Sequence, residues 1–192
     1  MEVLDAIRRR RAVRSFQEQP VDRMTMDKLL DAAVRAPSAM NRQPWAFAVI
    51  QDRNLLKQSS DRAKRFLLES SQEGTHVREL REALEDPAYN MFYDAGTLIA
   101  ICAKSDDPTA AEDCYLAAEN LMLAALDLGL GTCPIGLARP WLNAPLVKRE
   151  LGIPENYHVV FPVIAGYPKV NPPETQRTPP EVFLWKGAPV PE

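Results

Sequence analysis

The chain has 192 residues, 46% of them hydrophobic, which is enough for one well-formed core with no flexible linker between domains. A formal charge of −3 and a pI near 5.5 deny the whole molecule the cationic field that nucleic-acid binding requires. No window of 18 uncharged apolar residues occurs and the N-terminus, MEVLDAIRRRR, carries charge in place of an apolar leader, so a cytoplasmic protein without a membrane partner is expected.

The first helix is predicted over Glu2 to Arg11, with Val3, Leu4 and Ile7 inward and arginines at its C-terminal end, where positive charge suits the helix dipole. Five arginines fall between Arg8 and Arg14. They suit a compact anion such as one phosphate group, held by guanidinium forks, and equally suit a solvated helix end. In the second helix Met26, Leu29, Leu30, Ala33 and Val34 recur at helical offsets, with Thr25 as candidate N-cap and Met24 and Leu29 as a hydrophobic staple. That helix runs into PSAMNRQPW, Pro37 to Trp45, where Ser38, Asn41 and Gln43 sit between two apolar elements. Their hydroxyl and amide groups can face a planar polar ligand, or can serve an ordinary helix-to-strand turn.

Trp45, Phe47, Val49 and Ile50 read as a buried strand. Asp52 to Glu85 is charged and proline-free with sparse apolar residues (Phe66, Leu67, Leu68, Val77, Leu80, Leu84), which predicts an exposed helical excursion. Tyr89, Phe92 and Tyr93 follow, suited either to stacking on a planar substrate or to core packing. Thr97 to Ala103, TLIAICA, reads as a central strand. Pro108 and Thr109 open the next helix, with Glu112 placed for a capping box. From Tyr115 to Leu128 this helix is apolar nearly all round, so it is covered either by a second subunit or as a central core helix.

Gly129, Gly131 and Gly136 bracket GLGTCPIG, where backbone can approach a ligand closely. A short helix near Asn143 to Leu151, stopped by Gly152 and Pro154, precedes a strand over Tyr157 to Ala165. Eight of the 17 prolines lie from Pro162 onward, so the chain ends in an extended arm. Within it Val182, Phe183, Leu184 and Trp185 have nothing local to bury them, and they either add to a partner's sheet edge or fold back.

Several chemistries have no sequence support. HExxH, GxxxxGK[ST] and GxSxG are all missing, and the glycines lack GxGxxG spacing. The two histidines, His76 and His158, form no metal or triad pattern, so no metal is expected. Cys102, Cys114 and Cys133 form no CxxC pair and are expected as buried free thiols. A phosphate-type site, an amide loop and a glycine loop without a nucleophile point to a bound organic cofactor that carries the chemistry.

RRAVRSF at Arg10 to Phe16, APSAMNRQPWAF at Ala36 to Phe47, AAENLMLAALDLGLGTCPIG at Ala117 to Gly136 and VVFPVIAGYP at Val159 to Pro168 together resemble the nitroreductase family of FMN-dependent reductases. The resemblance implies an α+β fold with a central mixed β-sheet flanked by helices. It implies one domain over 1–192, an exchanged arm at 170–192, and an intertwined homodimer with FMN at its interface. It places Arg10, Arg11 and Arg177 on the phosphate, Ala12 where the family often has serine, and Arg14 by the pyrimidine side of the flavin. Pro37, Ser38, Asn41 and Gln43 come from the other subunit, while Pro134, Ile135 and Gly136 line the ring, with a backbone N–H near N5. Thr175 stands where a lysine is frequent. Catalytic roles fall on Gly136 and Arg14. The implied reaction is ping-pong reduction of a small planar acceptor, nitroaromatic or quinone-like, with NADH or NADPH as donor. Dehalogenation, flavin cleavage and flavin binding without turnover are the alternatives on the same fold.

Overall fold

Seven consecutive buried residues form the strand around which the rest is assembled. The computed structural model describes residues 1–70 and 78–187. In chain order the elements are α1 (Val3–Arg9), α2 (Arg23–Val34), β1 (Trp45–Ile50), α3 (Arg53–Glu69), α4 (Arg81–Glu85), β2 (Thr97–Ala103), α5 (Pro108–Asp127), β3 (Gly131–Pro134), α6 (Arg139–Leu142), α7 (Pro145–Glu150) and β4 (His158–Gly166). His76 and Val77 lie outside the described residues.

The sheet order is β1-β2-β4-β3 and every pair of neighbouring strands is antiparallel, with Phe47 opposite Ile101 and Ala100 opposite Pro162. Among the described residues the parallel component of the expected mixed sheet is confined to one bridge, Ala12 to Thr132. Successive side chains of a strand point to opposite faces. Leu98, Ala100 and Cys102 therefore join a core with Val13, Phe16, Leu56, Leu67 and Leu142, while Ile99, Ile101 and Ala103 join a second core with α2 and α5. Helices on both faces of the sheet make the α+β architecture. Among the described residues no helix is long and apolar enough to cross a membrane.

Local readings differ from the sequence expectations in identifiable ways. Asp22, not Thr25, caps α2: its carboxylate accepts from Thr25 N at 2.9 Å and from the Thr25 hydroxyl at 2.7 Å, and these bonds hold its pKa below the usual carboxylate value. Met24 is exposed, so no staple forms with Leu29. Asp107 caps α5 in the same way through Thr109 N, and the Glu112 capping box does not form. The stretch after Asp52 is not simply an exposed excursion, because α3 buries Leu56, Ser59, Ser60, Ala63, Lys64 and Leu67 along one stripe. Its sole buried cation, Lys64, is satisfied by the carbonyls of Asp86 and Tyr89 at 3.1 and 2.7 Å.

Three apolar surfaces expected to be covered are open in one chain. Val3, Leu4 and Ile7 of α1 are exposed instead of inward, as are Tyr115 and Leu116 of α5. In the arm Val182, Phe183, Leu184 and Trp185 are exposed too, Phe183 to 93%, so the run does not fold back onto its own core.

Candidate functional site

The close approach of two backbones builds the first part of the site. Helix α5 ends in a Schellman motif, with Gly129 at φ 75°, Gly129 N donating to Leu126 O at 3.1 Å and Leu130 N to Ala125 O at 2.8 Å. The chain then enters β3 at Gly131, against which the segment after α1 is laid: Val13 N donates to Thr132 O at 2.9 Å. A side chain at Gly131 would not fit, since a Cβ there falls 2.5 Å from Val13 Cγ2. This contact holds the arginine segment on the sheet edge.

Arg8, Arg9, Arg10 and Arg11 line a cavity of about 460 Å³ together with Gly131, Thr132 and the start of the arm. Arg10 pairs with Glu119 at 3.3 Å and Arg11 with Glu174 at 3.5 Å. Arg11 also donates through Nη1 to Arg10 O at 2.8 Å. Its Nε is buried and has no hydrogen-bond partner. Four arginines thus converge on one cavity, which Asp5 and Glu174 also line.

A second, smaller cavity of about 80 Å³ lies nearby on the same segment and strand, lined by Arg14, Tyr89, Met91, Tyr93, Cys133 and the stretch Pro134 to Leu137. Ile135 is fixed by donating its N–H to Pro162 O at 2.8 Å. A Cβ built on Gly136 meets nothing within 4 Å, so the pocket is open at that point. Burial pushes the Cys133 thiol up despite the opposing Arg14 charge, and Cys102 and Cys114 are pushed up to about 11 and about 12 by burial. All three are buried free thiols and none is a thiolate at neutral pH. Burial, then a hydrogen bond to Tyr93, also raises Tyr89. Phe92 belongs to the core, and Tyr89 and Tyr93 pack against that core and also border the pocket. Met91 was not legible as a pocket residue, because an apolar side chain beside a buried Phe reads as packing.

The loop from Pro37 to Trp45 is held in an unusual shape. Met40, Asn41 and Gln43 have φ of 53°, 54° and 49°. Asn tolerates the left-handed region, but Met and Gln pay about 1–2 kcal/mol each there. The compensating bonds are specific: Ser38 Oγ accepts from Gln43 N at 3.0 Å, Gln43 Nε2 donates to Asn41 Oδ1 at 3.1 Å, and Arg42 pairs with Asp107 at 2.6 Å. Ala39 N donates to both carboxylate oxygens of buried Asp113 on α5, each at 3.2 Å. Asp113→Ala is expected to cost about 1.5–3 kcal/mol of stability, as a hydrogen bond to a charged group does. Urea denaturation checks this, and Asp113→Asn should lose less.

Within one chain these parts stay separate. Arg10 and Arg11 line the larger cavity and Arg14, Pro134, Ile135 and Gly136 the smaller. Ala12 makes the bridge to Thr132 between them. Pro37, Ser38, Asn41, Gln43 and Arg177 line neither, and Arg177 lies exposed in the arm.

The family model described as "Nitroreductase family" matches residues 7–167. The chain belongs to the nitroreductase family. A protein of Methanothermobacter thermautotrophicus, provisionally named NADH dehydrogenase/NAD(P)H nitroreductase, is 33% identical over 185 residues, which cover 90% of this chain and 80% of that protein. A nitroreductase from Bacteroides fragilis, solved with bound FMN, superposes with a TM-score of 0.83 at 28% identity, covering 98% of this chain and all of that one. Iodotyrosine deiodinase, solved with FMN and 3-iodo-L-tyrosine, shares the fold at a TM-score of 0.73 and 24% identity, covering 94% of this chain and 97% of its own. The matched span of this nitroreductase-family chain runs from the arginine segment through β4 and stops before Arg177.

Proposed function

We propose that the chain is an FMN-dependent oxidoreductase that uses NADH or NADPH to reduce nitroaromatic or quinone-like acceptors and works as a homodimer. The observation that carries the reading is the cavity on the edge of β3 lined by Arg8, Arg9, Arg10 and Arg11, with the Arg11 guanidinium held in place by backbone carbonyls. A terminal phosphate is an anion of the right size and charge for a cluster of guanidinium forks.

Arg10 and Arg11 hold the phosphate, with Arg177 of the arm as a further cation. Arg14 places a positive charge on one wall of the adjoining pocket, and Pro134, Ile135 and the open position at Gly136 form another. FMN held there would supply the two-electron chemistry between the nicotinamide donor and a planar acceptor. Ile135 and Leu137 give that place apolar walls, against which the Arg14 charge acts more strongly than in open water. Ser38, Asn41 and Gln43 serve the site of the second subunit. Support for the dimer comes from the open apolar surfaces on α1, α5 and the arm, which are rows of large side chains with no cover in one chain.

The test is a visible spectrum of the purified protein, followed by NADH or NADPH in the same cuvette. Flavin bands that bleach, in a species sedimenting at twice the 21.5 kDa chain mass, are the expected result. A colourless preparation that fails to take up added FMN contradicts the reading.

A further inference from the structure

Arg10 and Arg11 each have a carboxylate within 3.5 Å, whereas Arg14 has none among the described residues. Among the described residues Arg14 is also the one cation on the smaller cavity. Its guanidinium carbon lies 5.7 Å from the centroid of the Tyr93 ring. An aromatic face attracts a guanidinium without neutralising it, so the charge remains available to a ligand. A carboxylate in the same place would cancel it.

The turn that presents Tyr93 is built with care. Tyr93 and Asp94 have φ of 52° and 54°, a conformation costing a non-glycine residue about 1–2 kcal/mol. Asn90 holds it, accepting from Phe92 N at 2.9 Å through Oδ1 and donating to Asp94 Oδ1 at 2.8 Å through Nδ2. From below, Met91 N donates to the buried Ser60 hydroxyl at 2.9 Å, and Lys64 grips Tyr89 O. From the side, the Tyr89 ring meets Tyr93 edge-on at 6.0 Å, with the two hydroxyls 3.4 Å apart. A half-buried ring needs no such bracing to fill space.

We infer that Tyr93 is a positioning residue for Arg14: braced by Tyr89 and Asn90, its ring fixes the direction in which an unneutralised guanidinium faces the pocket of Pro134, Ile135 and Gly136. The inference rests on the FMN reading above, since the flavin ring is the group Arg14 faces.

The experiment is FMN titration of the apoprotein by fluorescence quenching, with the midpoint potential of bound FMN measured alongside. Tyr93→Leu should weaken FMN roughly fivefold, the strength of a partly exposed cation–π contact. It should also lower the potential, as Arg14→Leu should. Tyr93→Phe keeps the ring and should stay within about twofold of the parent. In an Arg14→Leu background Tyr93→Leu should change nothing further. If Tyr93→Leu fails to fold, Asn90→Ala releases the turn with the ring intact and should weaken FMN only when Arg14 is present. A loss that is the same with and without Arg14, or no loss at all, overturns the inference and leaves the FMN reading standing. A parent protein that binds no FMN overturns both.

Discussion

Replacing Arg11 with alanine is expected to weaken FMN binding by about 1.5–3 kcal/mol, roughly ten- to hundredfold. Arg11 stands apart from the other arginines of its segment. Its side chain is only 13% exposed, and Nη1 is already held by the carbonyls of Arg8 and Arg10. The guanidinium is thus oriented before a ligand arrives, with Nε buried and unmatched. Arg9, by contrast, is mostly exposed and engaged with Asp5 one turn earlier, so Arg9→Ala should change affinity little. Arg11→Lys keeps the charge but loses the fork, and only part of the affinity should return. Titration at two ionic strengths adds a second readout. The parent should lose affinity as salt rises, and Arg11→Ala should show a shallower dependence because one charge contact is gone. Unchanged FMN affinity in Arg11→Ala would remove this cavity from the cofactor site.

How much of this was legible in the chain depends on whether the relevant force is local. Strand β2 was readable because every one of its seven residues is buried and its composition says so. The caps of α2 and α5 differ from the expected ones, because Thr25 and the Thr109–Glu112 pair look like capping groups in isolation while an aspartate two or three residues before each threonine takes the role; Pro108 opens α5 as expected. The stripe of α3 was hidden by its own chemistry. Ser60 and Lys64 are polar residues whose burial is made tolerable by partners some 20 to 30 positions away, Met91 and Tyr89 among them. The inward face assigned to Val3, Leu4 and Ile7 followed from a correct helical period, but a period cannot say which molecule covers the face.

The site divides along the same line. Arg10, Arg11, Arg14 and Pro134 to Gly136 stand out as candidates because charge clusters and glycine-rich turns announce themselves, and each borders a cavity. The left-handed backbone at Met40 and Gln43 was not foreseeable, since neither residue type favours it and the restraint comes from Asp113 on a distant helix and from Ser38. The tyrosine brace around Arg14 was weighed only as stacking or packing. Its function as a support depends on the ring-to-guanidinium geometry, which no spacing in sequence encodes.

Gly131→Ala is expected to lower both stability and FMN affinity through one contact. The new Cβ would lie 2.5, 2.7 and 2.9 Å from Cγ2, Cβ and Cγ1 of Val13. Val13 cannot easily yield, because it is buried to 5% exposure, its β-branched side chain has few rotamers, and its backbone is bonded to Thr132. Overpacking of this kind costs about 1–3 kcal/mol, which in a domain of this size lowers the thermal midpoint by about 2–12 °C. The segment lifted from β3 is the one that carries Arg10, Arg11 and Arg14, so the cavity and the pocket lose their cations together. Affinity should therefore fall further than in any single arginine variant. Adding Val13→Ala removes both γ contacts but leaves the Cβ approach at 2.7 Å, so it should restore part of the FMN affinity while sacrificing some core packing of its own. A Gly131→Ala protein with the parent's melting temperature and cofactor affinity would show that the two backbones do not meet there, and the arginine cradle would need another support.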